Sequence, residues 1–206
     1  MNGKPPAPDQ ASPESGADEA EWIAQLQQGD RQAFARIYER YRVRLYSFLV
    51  RLCGRRDQAD DLLQDTFVQL ARHATRLRPD TQLSPWLYTV ARNRYLSQRR
   101  TAVSRLLQLR DFFLGAMAAP SPLVGNPHQT ASERQEVARL EAALQRLPPS
   151  LREVILLLVV EDFDQNQVAQ MLGLQPAALR KRLERARAQL QWELSESEQG
   201  GSHGDS

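Results

Sequence analysis

Three groups of residues in this 206-residue chain have types and spacings that could do chemistry. Asp57, Asp61 and Asp65 recur every four residues with Asp60 and Gln64 beside them, so on a helix they line one side. Like charges at that spacing repel by roughly a few tenths of a kcal/mol per pair. A helix N-terminus beside Asp57, Asp60 and Asp61 recovers part of that through its dipole, but Asp65 lies beyond the first turn. Two readings stay open: charge matching at a helix end, or an acidic face built to meet a basic protein.

The second group lies in SPWLYTVARNRYLSQRR, where no acid appears between Thr81 and Arg110. Leu87, Val90 and Ala91 are expected in the core, and Trp86 is part core and part platform. Tyr88, Arg92, Tyr95 and Arg99 fall at i, i+4, i+7 and i+11, which predicts a separate exposed stripe. Aromatic faces stack on unpaired bases for roughly 1–3 kcal/mol each, and arginines follow the phosphate backbone. Single-stranded or opening DNA suits that combination better than intact duplex.

The third group is Arg180, Lys181, Arg182, Arg185 and Arg187. They follow a short helical stretch and the turn Gly173-Leu174-Gln175, which is the layout of a helix-turn-helix. Its second helix enters the major groove with its N-terminal part nearest the bases. The arginines then supply phosphate attraction and guanine contacts, while Leu179, Leu183 and Ala186 face inward. The plainer alternative is a solvated Arg-rich face.

Other chemistry finds little support. His73, His128 and His203 are scattered without ligand spacing, and Cys53 is the sole cysteine, so no metal site, disulfide or cofactor is expected. There is no Gly-rich phosphate loop and no nucleophile beside a base. An enzyme is not expected.

Helices must position these groups. Residues 1–18, rich in Pro, Ala, Ser and acids, read as a disordered tail. Gly29-Asp30 offers a start for a helix carrying Phe34, Ile37, Tyr38, Tyr41, Leu45, Phe48, Leu49 and Leu52, with Gly54 as its stop. A second helix spans about 58–73. Ser84 is expected to cap a third whose first position is Pro85.

Residues 19–100 thus form one small helical domain, and the Gly- and Pro-containing stretch 101–132 reads as a linker, with Phe112 and Phe113 unusual for a solvated tether. Residues 133–194 form a second domain, with helices near 136–147 and 151–160, the latter opened by a Ser150–Glu153 capping box. Asp164 caps the next helix, and Gln175-Pro176 starts the last. A polar tail follows from Ser195. The fold class is all-α, two small helical domains joined by a linker.

The charged fraction of 25% and a mean hydropathy of -0.55 describe a soluble protein. The longest apolar run, 154–160, is far below the roughly 20 residues that span a bilayer, so no membrane insertion is expected. The start lacks a signal-peptide core, and the reading is a cytoplasmic protein. Net charge is only +2, so nucleic-acid binding must rest on local clustering.

In this order, the segments resemble the extracytoplasmic-function (ECF) class of bacterial sigma factors. DQADDLLQDTFVQLARH resembles the segment that grips the β′ clamp helices of core RNA polymerase. LSPWLYTVARNRYLSQRR resembles the segment that captures and melts the minus-ten element, and LPPSLREVILLLVVEDFDQNQVAQMLGL with QPAALRKRLERARAQL resembles the domain reading the minus-thirty-five element. The resemblance implies that Asp57, Asp60, Asp61, Gln64 and Asp65 bind polymerase. It places Trp86, Asn93 and Arg100 at family-typical positions, as it does Leu87 and Ala91, and the loop Arg76 to Ser84, with Arg76 and Arg78, where the family holds a flipped base; with the stripe Tyr88, Arg92, Tyr95 and Arg99 added, these are the residues expected on minus-ten DNA. Gln175, Ala178, Arg180, Lys181, Arg182, Arg185 and Arg187 fall to minus-thirty-five DNA.

Core polymerase, including other β and β′ surfaces, and promoter DNA are the implied partners, and an anti-sigma protein is a further candidate. Ser97 stands where the family usually has Asp, Leu83 where it often has Phe, Ala178 for a usual Thr and Lys181 for a usual Ser. Promoter preference therefore cannot be copied from relatives. The rivals are a helix-turn-helix regulator acting without polymerase, and a sigma-like interaction protein that no longer initiates.

Overall fold

In the computed structural model, residues 13–109 and 131–200 are described, with side chains for 18–101 and 134–196. Among the described residues all regular structure is helical: α1 (Pro13–Gln27), α2 (Arg31–Cys53), α3 (Arg56–His73), α4 (Leu83–Leu109), α5 (Ala131–Arg146), α6 (Pro149–Ile155), α7 (Gln165–Leu172) and α8 (Pro176–Gly200). Packing divides the chain into two units, Met1–Leu49 with Arg56–Ala119, and Val50–Arg55 with Pro120–Ser206.

In the first unit, Gly29 at φ 83° makes the left-handed turn into α2, and the Asp30 carboxylate accepts the Gln32 N–H at 2.8 Å. Ile37, Leu45, Phe48 and Leu49 are fully buried along the predicted face. Aromatic edges lock α2 to its neighbours: Tyr38 meets Phe67 of α3 with centroids 4.8 Å apart, and Phe48 meets Tyr88 of α4 at 4.9 Å. Such pairs contribute about 0.5–1.5 kcal/mol beyond area burial.

Three boundaries differ from expectation here. Helix α1 begins at Pro13, inside the stretch assigned to a disordered tail. Its Ile23 (0% exposed) and Leu26 (6%) join the core, and Trp22 lies 5.7 Å beneath the Arg40 guanidinium. Apolar burial by one short face outweighs the polar composition around it. Helix α4 starts at Leu83, with the Trp86 N–H bonded to Gln82 O at 3.2 Å, so Gln82 rather than Ser84 holds the cap position. Pro85 still costs no hydrogen bond, because first-turn N–H groups have no intrahelical acceptor. At its far end α4 continues to Leu109, well into the predicted linker, while Phe112 and Phe113 lie outside the described residues.

In the second unit, α6 begins at Pro149 without a side-chain cap. The expected Ser150–Glu153 box does not form, because Glu153 is turned inward, 3% exposed, and pairs with Arg182 of α8 at 3.4 Å. Its neighbour Arg152, 6% exposed, donates to carbonyls closing α5, to Leu144 at 2.9 Å and Leu147 at 3.1 Å. The predicted helix 151–160 is α6 followed by a π-helical turn, Leu156–Val160, closed by the Glu161 N–H on Leu156 O at 2.9 Å.

Asp164 caps α7 as expected, accepting from Asn166 at 2.7 Å and Gln167 at 2.9 Å, and the Gln167 side chain completes a capping box. Gly173 at φ 63° ends it in the left-handed conformation that glycine adopts without steric cost. Helix α8 overruns the predicted tail at Ser195, whose hydroxyl bonds Gln191 O at 2.9 Å.

Candidate nucleic-acid and protein interfaces

The acidic face belongs to α3. Ala59, Leu62, Thr66, Phe67 and Leu70 are buried on its inner side, which leaves Asp57, Asp60, Asp61 and Gln64 exposed and Asp65 half-buried. Because α3 starts at Arg56, Asp57 is the only acid in its first turn. The dipole's influence fades within that turn, so it does not account for Asp60, Asp61 or Asp65. Among the described residues none of these three has an ion-pair partner.

Helix α4 corrects the second expectation. Tyr88 is 2% exposed and Tyr95 5%, so the stripe Tyr88–Arg92–Tyr95–Arg99 does not form an exposed surface. Tyr88 packs on Phe48, and the Arg99 guanidinium lies 5.9 Å over the Tyr95 ring, covering it. The physical reason is angular. At about 100° per residue, Tyr88 sits roughly 200° from Trp86, and the packed side of α4 takes in Leu87, Tyr88, Ala91 and Tyr95.

The open side instead carries Trp86, Asn93, Ser97 and Arg100, where spacings of seven and four keep residues in line. Trp86 is half-buried against His73, centroids 6.4 Å apart, while Asn93, Ser97 and Arg100 are exposed. Asn93 Oδ1 accepts from Arg92 at 3.2 Å. The sequence points to Trp86, Asn93 and Arg100 on this side, but the exposed stripe it predicts also takes in Tyr88 and Tyr95, which the core holds. The seven-residue repeat through Trp86 was the available signal.

The loop before α4 is an organised turn. Leu77 (6% exposed) and Leu83 (0%) anchor its ends in the core. Between them the Arg78 N–H donates to Thr81 Oγ1 and the Thr81 N–H to Arg78 O, both at 3.0 Å. Arg78 also forks onto Asp80 at 3.0 and 2.9 Å, which offsets its charge, whereas Arg76 is exposed on a 3-10 turn. Surface pairs of this kind are worth about 0–1 kcal/mol, so a phosphate competes readily for Arg78.

The third group divides. Gln175 sits at the cap of α8, its carbonyl accepting the Leu179 N–H at 3.0 Å. Leu179, Leu183 and Ala186 are buried as expected, and Ala178, Arg180, Lys181, Arg185 and Arg187 are exposed with Gln175. Arg182 differs: it is half-buried and held by Glu153, so it braces the helix-turn-helix from within. Among the described residues no cluster of His, Cys, Asp or Glu could hold a metal, and no helix is long and apolar enough to cross a membrane.

Among the described residues the chain is all-helical, with a helix-turn-helix and a separate acidic helix, the architecture of a DNA-binding protein with a further protein-docking face, and comparison with known proteins gives the family. Residues 37–105 match Sigma-70 region 2, and residues 138–190 match Sigma-70, region 4. The RNA polymerase sigma factor CarQ of Myxococcus xanthus is 31% identical over 178 residues, 85% of this chain and 97% of CarQ. The ECF RNA polymerase sigma factor SigM of Mycobacterium tuberculosis is 30% identical over 174 residues, 84% of this chain and 82% of SigM. In fold, the chain resembles the sigma factor RpoE of Bartonella quintana, solved with the anti-sigma factor NepR, at a TM-score of 0.67 and 24% identity over 79% of this chain and 96% of RpoE. The chain belongs to the sigma-70 family, within its ECF class. It is an RNA polymerase sigma factor that directs promoter-specific transcription.

Proposed function

We propose that the three faces divide the work of initiation. The outer side of α3, with Asp57, Asp60, Asp61, Gln64 and Asp65, docks on a basic surface of core polymerase, the β′ clamp helices being the expected site. The open side of α4, Trp86, Asn93 and Arg100, with Arg76 and the turn at Arg78, holds the opened minus-ten strand. Gln175, Ala178, Arg180, Lys181, Arg185 and Arg187 on α8 dock the minus-thirty-five duplex, while Arg182 keeps α8 in place. Tyr88 and Tyr95 support α4 from behind. The protein acts in the cytoplasm, has no catalytic activity of its own, and is a candidate for capture by an anti-sigma protein, as NepR is found with RpoE.

The observation that carries this reading is the acidic face of α3, which persists beyond the reach of the helix dipole. A helix-turn-helix regulator acting without polymerase leaves that face without a role. Mixing the protein with core polymerase and a genomic promoter library tests the whole. Co-elution with promoter-dependent transcripts is expected; failure to co-elute overturns the docking proposed for α3, and co-elution with no initiation overturns the roles proposed for α4 and α8. Reversing Asp61→Lys and Asp65→Lys together should abolish co-elution while circular dichroism keeps its helical signal. Unchanged binding would reduce the stripe to an ordinary solvated face.

A further inference from the structure

The turn from Leu77 to Leu83 is held at both ends by one helix that sequence analysis did not find. At one end, Gln27 of α1 donates from Nε2 to Leu77 O at 2.6 Å. At the other, Glu19 Oε2 accepts the Leu83 N–H at 3.3 Å, and its Oε1 accepts the Tyr41 hydroxyl of α2. Glu19 and Gln27 are eight residues apart, so two turns of α1 span the gap across the base of the loop. The Glu19 carboxylate also supplies an acceptor and a negative charge to the first turn of α4, where N–H groups have no intrahelical acceptor. Both side chains are half-buried, and the residues between the clamps, Arg78 to Gln82, stay largely exposed.

From this geometry we infer that α1 is a brace for the promoter-reading loop, with Glu19 and Gln27 as positioning residues that set which base the loop accepts. They do this through Leu77 and Leu83, without touching DNA. The inference rests on the proposal that this loop meets the minus-ten strand. A recognition turn held at both ends keeps its donors and acceptors in one arrangement, so a mismatched base finds them unpaired. Released at one end, the turn adapts to more than one base, and selection falls.

The test uses the full chain assembled with core polymerase and single-stranded minus-ten oligonucleotides carrying each base in turn. Gln27→Met removes the donor at similar length, and Gln27→Arg restores one. Discrimination at one oligonucleotide position should fall by about tenfold in Gln27→Met, the value of one well-made hydrogen bond, and return in Gln27→Arg. Polymerase affinity should stay near that of the parent, and the melting temperature should fall by no more than the several degrees that one lost hydrogen bond costs a small domain. Glu19→Met removes both acceptors at similar length, and amide exchange at Leu83 should speed up in that variant, a readout that a general packing role would not single out. If the parent itself shows no base preference, the loop is not a reader and the proposed function fails at this point. If the parent discriminates and Gln27→Met discriminates equally, the brace is refuted while the proposed function stands.

Discussion

Tyr88 and Asn93 lie five residues apart on one helix and do opposite work. Tyr88 is packed against Phe48, whereas Asn93 is exposed on the side that carries Trp86 and Arg100. Truncating Tyr88→Ala should therefore cost about 3–5 kcal/mol of stability in a urea titration, the scale of a lost core aromatic. Asn93→Ala should stay within about 0.5 kcal/mol, as surface substitutions do, while weakening capture of single-stranded promoter DNA. Equal stability of the two variants would contradict this division of the helix. The sequence held both possibilities, since a stripe of aromatics and arginines at helical spacing fits an inner face and an outer one alike. Only the packing of α2 against α4 decides which side points away.

At the scale of elements, the well-read helices were those whose ends are written by local chemistry. Asp30 and Asp164 cap, Gly54 and Gly173 stop, and each works within a few residues of its own position. The misread ends depend on partners far along the chain. Ser150–Glu153 has the spelling of a capping box, yet Glu153 meets Arg182 of α8, an outcome that no window of ten residues contains. Helix α1 escapes the sequence for the same reason, because its buried Ile23 and Leu26 gain their value only against distant partners such as the 3-10 turn Ala74–Arg76, and its Glu19 only by joining α2 and α4.

That three-helix junction has a pH signature. Burial first, then the bond to Glu19 and its charge, push the Tyr41 phenol well above its ordinary range. A group whose folded pKa lies above its unfolded value of about 10 contributes stability that is fully present below about pH 10 and lost progressively as pH rises from there through the folded pKa. Thermal unfolding of the native chain should consequently weaken more steeply above about pH 10 than that of Tyr41→Phe. Parallel curves for the two would show that the Tyr41–Glu19 bond does not hold the junction.

For the whole molecule, a net charge of +2 conceals a sorting of charge among faces. One exposed helix side is acidic, while the first half of α8 exposes Arg180, Lys181, Arg185 and Arg187 with Glu184 among them. Binding to duplex promoter DNA should therefore weaken steeply with salt despite the small total charge. Arg180→Ala or Arg185→Ala should each lower the slope of log affinity against log salt by about 1, measured by fluorescence anisotropy. Arg182→Ala should instead lower the unfolding midpoint, since it strips a partner from the buried Glu153 carboxylate. A slope unaffected by Arg180 and Arg185 would move the duplex contact to another surface.

The π-helical turn at Leu156–Val160 decides which way the chain faces as it leaves α6. It winds one more residue into a turn than an α-helix does, closing Leu156 onto Glu161, five positions on. The helix ends directly after that turn, and there the charged Glu161 is buried at 4% exposure while the apolar Val159 and Val160 beside it are exposed. Faces counted with the 3.6-residue period therefore hold along α6 and fail over its last turn.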